Sequence, residues 1–266
     1  MKAGRSARSA VERAVLQSFP GRRIVRSAVL PAAAHLLPSV LVLGQWWPST
    51  APELRALPGG VCRWRGPNTG RPEVALTFDD GPDPDSTLEA ASRLEGARMR
   101  GTFFTVGESV EAHPEIVREL RGRGHEVGTH GYRHRHHLLQ RSGDTVADLG
   151  QAVAALERLG QGFHPRYFRP PYGQVSTGSI IACQRAGLEM ILWSVWGREW
   201  AETRSGPVAE RITRKLRPGA IVLLHDSDAT SPPGTAARAI EALEVILARL
   251  EAEGLRSVTL SSLLKR

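Results

Sequence analysis

Cysteine is nearly absent from this 266-residue chain, which has only Cys62 and Cys183. That excludes a disulfide scaffold and any zinc site built on paired Cys-x-x-Cys motifs. The two could form one bridge or stay reduced, and their spacing does not choose. Low-complexity tracts and internal repeats are missing as well, so collagen-like and repeat architectures drop out. Excess charge is missing from most of the chain. Residues 1–73 carry 11 Lys and Arg against 3 Asp and Glu, which accounts for the whole formal charge of +8, and the 24 of each sign in residues 74–266 cancel. The larger part therefore has no basic footprint, and no nucleic-acid partner is expected for it. With 41% apolar and 23% charged residues, the chain can bury a sizeable core, and wholesale disorder is not expected. Its length suits one large domain, or one domain with an appendage.

The appendage is residues 1–73. Lys2, Arg5, Arg8, Arg13, Arg22, Arg23 and Arg26 face Glu12 alone in the first 26 residues, and no charged residue occurs from Ser27 to Pro52. Residues 27–47 hold Val40 to Leu43 and end at Trp46-Trp47. A basic flank, an apolar run and paired Trp at one end fit a signal anchor with its N-terminus inside, hence membrane contact and a domain held outside. A cleaved signal peptide fits less well, because the run lies late and its flank is long. Pro31, Pro38, His35 and Gln45 oppose a span. The competing reading is a Pro-punctuated segment that packs on a cytoplasmic domain. Residues 48–73, rich in Pro, Gly and Arg, read as a linker.

Residues 74–266 alternate. Strands are predicted at 74–78, 102–106, 126–129, 167–168, 190–195, 220–224 and 258–260, and helices at 86–94 (Ser86 as N-cap), 114–123, 144–159, 177–186, 207–216 and 235–250. The helix over 144–159 rests on apolar residues at 146, 149, 153, 156 and 159. This rhythm argues for an α/β fold with parallel strands covered by helices, and the strand count suits a barrel better than an open sheet.

Polar residues follow the ends of several predicted strands: Asp79-Asp80, His130, Arg169, Glu199-Trp200 and His225-Asp226. In a parallel barrel these ends open on one face, where active sites collect. Adjacent carboxylates fixed by Gly81-Pro82 can divide into a metal ligand and a free base. The plainer reading is a solvated acidic turn. His130 and His134, four apart, can converge on one metal, with His136 and His137 as alternative ligands. A surface histidine cluster is the plainer reading here. His125-Glu126 is not a zincin motif, because the next His is five residues on. Arg169-Pro-Pro-Tyr-Gly is a rigid loop, and His225 taken alone reads as a structural histidine. Trp193, Trp196 and Trp200 are either core aromatics or the lining of a sugar-binding groove.

Five segments in order carry a resemblance: Thr77-Phe78-Asp79-Asp80-Gly81-Pro82, His130 to His134, Arg169 to Gly173, Trp193 to Trp200, and Leu223-Leu224-His225-Asp226. Together they resemble the motifs of the polysaccharide deacetylases, carbohydrate esterase family 4, or NodB homology domain, over roughly residues 72–264. The resemblance implies a distorted (β/α) barrel of about seven parallel strands, and hydrolysis of N-acetyl, sometimes O-acetyl, groups on a glycan. It implies a divalent metal, often zinc, with cobalt or nickel as alternatives, on Asp80, His130 and His134. It implies Asp79 as base held by Arg169, the Tyr172 backbone N–H as oxyanion donor, His225 as acid, and Leu223 and Trp200 flanking the acetyl pocket. Chitooligosaccharide, peptidoglycan, xylan and acetylated small glycosides all remain open as substrates.

Two departures stand out. Glu199 precedes Trp200 where the family usually has Asp, and Trp196 occupies an earlier acidic position. Arg135 follows His134 where the family usually has Pro. The alternative function is a non-catalytic glycan-binding or scaffold protein on the same fold. A further reading gives the basic N-terminus a nucleic-acid or anionic-lipid role.

Overall fold

The computed structural model describes residues 62–67 and 69–265. The expected anchor at residues 27–47 lies outside them, and no helix among the described residues is long and apolar enough to cross a membrane. The strands are β1 (Glu73–Asp79), β2 (Gly101–Thr105), β3 (Glu126–Thr129), β4 (Tyr167–Phe168), β5 (Glu189–Met190), β6 (Val195–Trp196), β7 (Ile221–His225) and β8 (Arg256–Ser257). The helices are α1 (Thr87–Gly96), α2 (Gly107–Ala112), α3 (Pro114–Gly122), α4 (Ser142–Glu157), α5 (Thr177–Arg185), α6 (Ser205–Thr213), α7 (Thr235–Ala252) and α8 (Leu260–Leu263).

Seven strands pair in the order β5-β4-β3-β2-β1-β7-β6, all parallel, and helices cover them as a distorted (β/α) barrel. The short β8 pairs with the first two residues of β1. The predicted strand over 190–195 is in fact two. β5 pairs with β4 at one edge of the sheet and β6 with β7 at the other. The four residues between them cross the seam: Ile191 N–H donates to Phe168 O, and Ser194 N–H to Ile221 O. One continuous strand could not serve both edges. Part of the expected linker fills the same seam. Arg63 N–H donates to Met190 O, Leu192 N–H returns to Arg63 O, and Arg65 bridges Ala220. The predicted closing strand at 258–260 lies two residues early, at β8. Thr259 instead caps α8 by accepting the Ser262 N–H.

The period-2 pattern separates two cores. Val74, Leu76 and Phe78 of β1, with Val222 and Leu224 of β7, pack outward against buried residues of α1, α6 and α7. Ala75, Ile221 and Leu223 point inward with Phe104, Tyr167 and Trp193, whereas Phe168 lies on the outward row. Burial of each large apolar side chain contributes about 1.5–3 kcal/mol. On the same inward rows lie Thr77 and Asp79 of β1 and His225 of β7, and Asp79 is the register partner of His225. Core packing therefore aims the polar ends of two strands into one space. The predicted stripe of α4 is buried at Leu149, Val153 and Leu156. Helix α2 has no apolar period, only Gly107 and Val110 buried, which is why the pattern did not announce it.

The two cysteines are not bridged. Cys183 is buried, and its thiol donates to Leu188 O at 3.0 Å. Burial, with Glu189 nearby, pushes it up to about 12, so it is an inert packing residue.

Candidate active site

A cavity of about 340 Å³ opens at the C-terminal ends of the strands. Asp79, Asp80, His130, His134, Tyr172, Trp193, Trp200, Leu223 and His225 all line it. The resemblance had named every one of these except Trp193, read from sequence as either core or groove. The remaining two predicted residues, Arg169 and Glu199, stand behind the lining, fully buried.

Two adjacent strand residues normally point to opposite faces. Asp79 ends β1 with its side chain inward, whereas Asp80 has φ +81, leaves the strand, and turns its carboxylate into the same cavity. That conformation is uncommon for a residue with a Cβ. It is held from behind by Asp226. Asp226 Oδ1 accepts the Gly81 N–H at 3.2 Å, Oδ2 accepts the Thr87 hydroxyl at 2.6 Å, and the Asp226 N–H donates to Asp79 O at 3.1 Å. A Cβ at Gly81 would lie 2.3 Å from Asp226 Oδ2, so glycine is required there. Ser86 was expected to cap α1. Its hydroxyl instead donates to Asp83 Oδ1 and Asp226 O, which joins the helix start to the same clamp. Burial pushes the Asp226 carboxyl up to about 7, with Asp80 and Asp79 adding to the shift and the Thr87 and Gly81 hydrogen bonds opposing it. Sequence reading singled out the His-Asp pair but gave Asp226 no role. Thr87→Val removes one donor from a fully buried carboxyl, so we expect a loss of about 1–3 kcal/mol in a denaturant titration. An unchanged midpoint would show that the clamp does not depend on Thr87.

His130 and His134 leave β3 on a turn in which Gly131 has φ +86 and His134 φ +49. Asp148 of α4 braces this turn by accepting the Tyr132 N–H at 2.8 Å. Sequence reading missed Asp148, although it falls on the buried stripe of its helix. His130 Nδ1 faces Arg169 O at 2.8 Å, so that nitrogen donates and Nε2 is left with its lone pair toward Asp80 Oδ1, 3.5 Å away. His134 Nε2 lies 3.2 Å from the same oxygen. One ligand atom from each of Asp80, His130 and His134 can be chosen with all three within 4.8 Å of one another. Asp80 Oδ1 is buried with no hydrogen-bond donor, an acceptor left for something else to satisfy. Burial, then His130, holds His134 down at about 3, so its imidazole is neutral, as a ligand must be.

His136 and His137, the alternative ligands, are elsewhere. His137 is buried, with Nδ1 3.0 Å from Ser179 Oγ, and His136 stacks on Tyr172. His125 is structural: its Nδ1 accepts the Gly101 N–H and its Nε2 meets Glu95.

Arg169 is fully buried behind the cavity lining. Its Nη1 donates to Asp79 Oδ1 at 2.6 Å and to Thr77 Oγ1 at 2.8 Å, and its guanidinium sits 4.1 Å over the Phe104 ring. Tyr172 follows two prolines with φ +59. Across the cavity, His225 Nδ1 is 2.9 Å from Glu199 Oε1. Glu199 reaches it from a one-turn 3-10 helix, Glu199–Ala201, whose backbone is tied to α7 by Arg238 Nε donating to Glu199 O. Burial disfavours the imidazolium, but Glu199, with Asp80 and Asp79 beyond, outweighs it and holds His225 at about 9. Trp200 meets the His225 ring edge-on at 5.3 Å, and Trp196 stands 5.2 Å from Trp200. The loop Thr230-Ser231-Pro232 closes another side, with Ser231 Oγ 3.3 Å from Asp80 Oδ2. No sequence signal pointed to that loop.

Comparison with known proteins gives this arrangement its relatives. The family described as polysaccharide deacetylase matches residues 66–191. A peptidoglycan-N-acetylglucosamine deacetylase of Bacillus cereus is 30% identical over 191 residues, covering 72% of this chain and 68% of its own. A chitooligosaccharide deacetylase of Azorhizobium caulinodans is 34% identical, covering 68% of this chain and 89% of its own. The solved Bc1960 peptidoglycan N-acetylglucosamine deacetylase superposes with a TM-score of 0.70 at 29% identity, over 77% of this chain and 92% of that one. By sequence, fold and order of motifs, the chain belongs to the polysaccharide deacetylases of carbohydrate esterase family 4, which are hydrolases.

Proposed function

We propose that the protein removes N-acetyl groups from a glycan built on N-acetylglucosamine, using a divalent metal held by Asp80, His130 and His134. One observation carries this reading. Two carboxylates and three imidazoles from three separate strand ends converge on a single cavity large enough for about one sugar ring. The donor set fits the ion: one carboxylate with an unsatisfied oxygen and two imidazoles suit zinc, cobalt or nickel. When bound, such an ion polarises the acetyl carbonyl and acidifies water.

The chain's own groups supply the rest. Arg169 occupies Asp79 Oδ1, which leaves Oδ2 to take a proton from the attacking water. The backbone N–H of Tyr172 donates to the oxygen on which negative charge develops. His225 presents Nδ1 to Glu199, so Nε2 carries the proton for the leaving amine as the C–N bond breaks. Acetate and a free amine result. Glu199 takes the part expected of an Asp at that position, since its carboxylate lies 2.9 Å from His225 Nδ1. Leu223 and Trp200 flank the acetyl methyl.

The test is acetate release from N-acetylglucosamine oligomers, peptidoglycan, acetylxylan and small acetyl esters, with added Zn, Co or Ni. Release from the N-acetylglucosamine substrates, abolished by a chelator and restored by metal, is the expected result. Metal binding without acetate release from any substrate would favour the non-catalytic scaffold.

A further inference from the structure

Beyond the cavity wall, two stacked aromatic rings leave the outer face of His136 open at the rim, with no role yet given. Tyr172 is 47% exposed, one of three large exposed hydrophobics among the described residues, and the only one of them that also lines the cavity. Its ring lies parallel to that of His136, with centroids 3.7 Å apart and planes 1° from parallel. On another side it meets His134 at 4.5 Å. His136 is itself exposed. Its Nδ1 is 3.2 Å from Gln174 Oε1, so the Nδ1–H donates there, and Nε2 is left as an acceptor. The support is stiff: Pro170 and Pro171 precede Tyr172, and Gly173 follows with φ +65.

We infer that the Tyr172–His136 stack is a second sugar subsite, in which the outer face of His136, backed by Tyr172, packs against the apolar face of the unit next to the one being deacetylated. The inference rests on the deacetylase reading above and extends it, because it makes the substrate an oligomer or polymer rather than a single sugar. Three points carry it. The cavity has room for about one ring, so a glycan chain must leave it across the rim. Tyr172 belongs to both cavity and rim, so the stack is continuous with the catalytic site. A flat ring with polar groups at its margin suits a pyranose, which is apolar on its faces and polar at its edge.

His136 supplies no metal ligand, base, acid or oxyanion donor in the proposed mechanism, and its ring contact is with the Tyr172 side chain. With metal-loaded full-length protein, kcat/KM is measured on a chitin pentamer and on the N-acetylglucosamine monosaccharide. His136→Ala should lower the pentamer-to-monosaccharide ratio about fivefold, mainly through KM, the scale of one aromatic contact. His136→Phe keeps the flat ring and should restore the ratio. An unchanged ratio in His136→Ala overturns the subsite. So does a fall in kcat shared by both substrates, which would mean that His136 only supports the Tyr172 backbone. If the unaltered protein releases no acetate, the deacetylase reading fails and the subsite is judged by calorimetry with the same pentamer. Weaker binding in His136→Ala would then support it, and equal binding would reject it.

Discussion

Asp79→Asn should retain bound metal and lose about 10²–10⁴ in turnover, the usual worth of a general base, whereas Asp80→Ala should purify without metal. The two residues are neighbours, yet their surroundings differ. Asp80 shares one oxygen with the Nε2 atoms of His130 and His134. Asp79 is 3.6 Å from His130 Nε2 and is committed on its other oxygen to Arg169. The change to Asn removes charge beside a buried guanidinium, and breaking such a pair can cost about 3–5 kcal/mol. The fold should survive it. Arg169 keeps Thr77 Oγ1, Leu192 O and the Phe104 face, and the Asn oxygen can still accept its hydrogen bond. Metal analysis of both purified variants, with circular dichroism as a folding control, reads the outcome. Equal metal loss in both would sink the division between ligand and base.

Glu199→Gln should move the basic limb of kcat/KM to lower pH by ~1 unit or more, the size of a nearby-charge effect. In the proposed mechanism His225 must be protonated to serve the leaving amine, so the rate should fall as pH rises through its pKa. Burial alone would push that pKa below 6.5, and the Glu199 carboxylate at 2.9 Å is the largest influence lifting it to about 9. Gln removes the charge and keeps the shape. For a one-unit shift, activity at pH 8 then drops about twofold, and the loss grows toward about tenfold well above pH 9, since a growing share of His225 is neutral. The sign for stability runs the same way. The raised pKa contributes stability that is fully present below about 6.5 and lost as pH rises through about 9, and the variant lacks that slope. Matching limbs in the two proteins, with metal content equal, would rule out Glu199 as the partner that keeps the acid charged.

The elements that announced themselves were those with a strong period. Helix α4 and the outward rows of β1 and β7 follow apolar spacing, because burial against a neighbouring layer demands it. Elements without such a period were hidden. Helix α2 buries only Gly107 and Val110, and the seam between β5 and β6 depends on which sheet edge each half must meet. The site shows the same division. Asp79, Asp80, His130, His134 and His225 were legible because motifs mark them, whereas Asp148 and Asp226 were not assigned a role. Both act through hydrogen bonds to backbone N–H groups of residues far away in the chain.

The sequence by itself determined the family, the alternating α/β order and the kinds of groups the chemistry uses, because residue type and local period encode these directly. It also showed that Glu stands where Asp was expected, but not whether its carboxylate reaches the acid. Only the tertiary structure decided that Glu199 meets His225, that Asp80 turns back beside Asp79, and that His136 stacks on Tyr172 rather than joining Asp80, His130 and His134. Each depends on distances between segments up to about 145 residues apart. Such distances follow from strand register and loop backbone angles, and both are fixed by packing of the whole barrel rather than by any local run of residues.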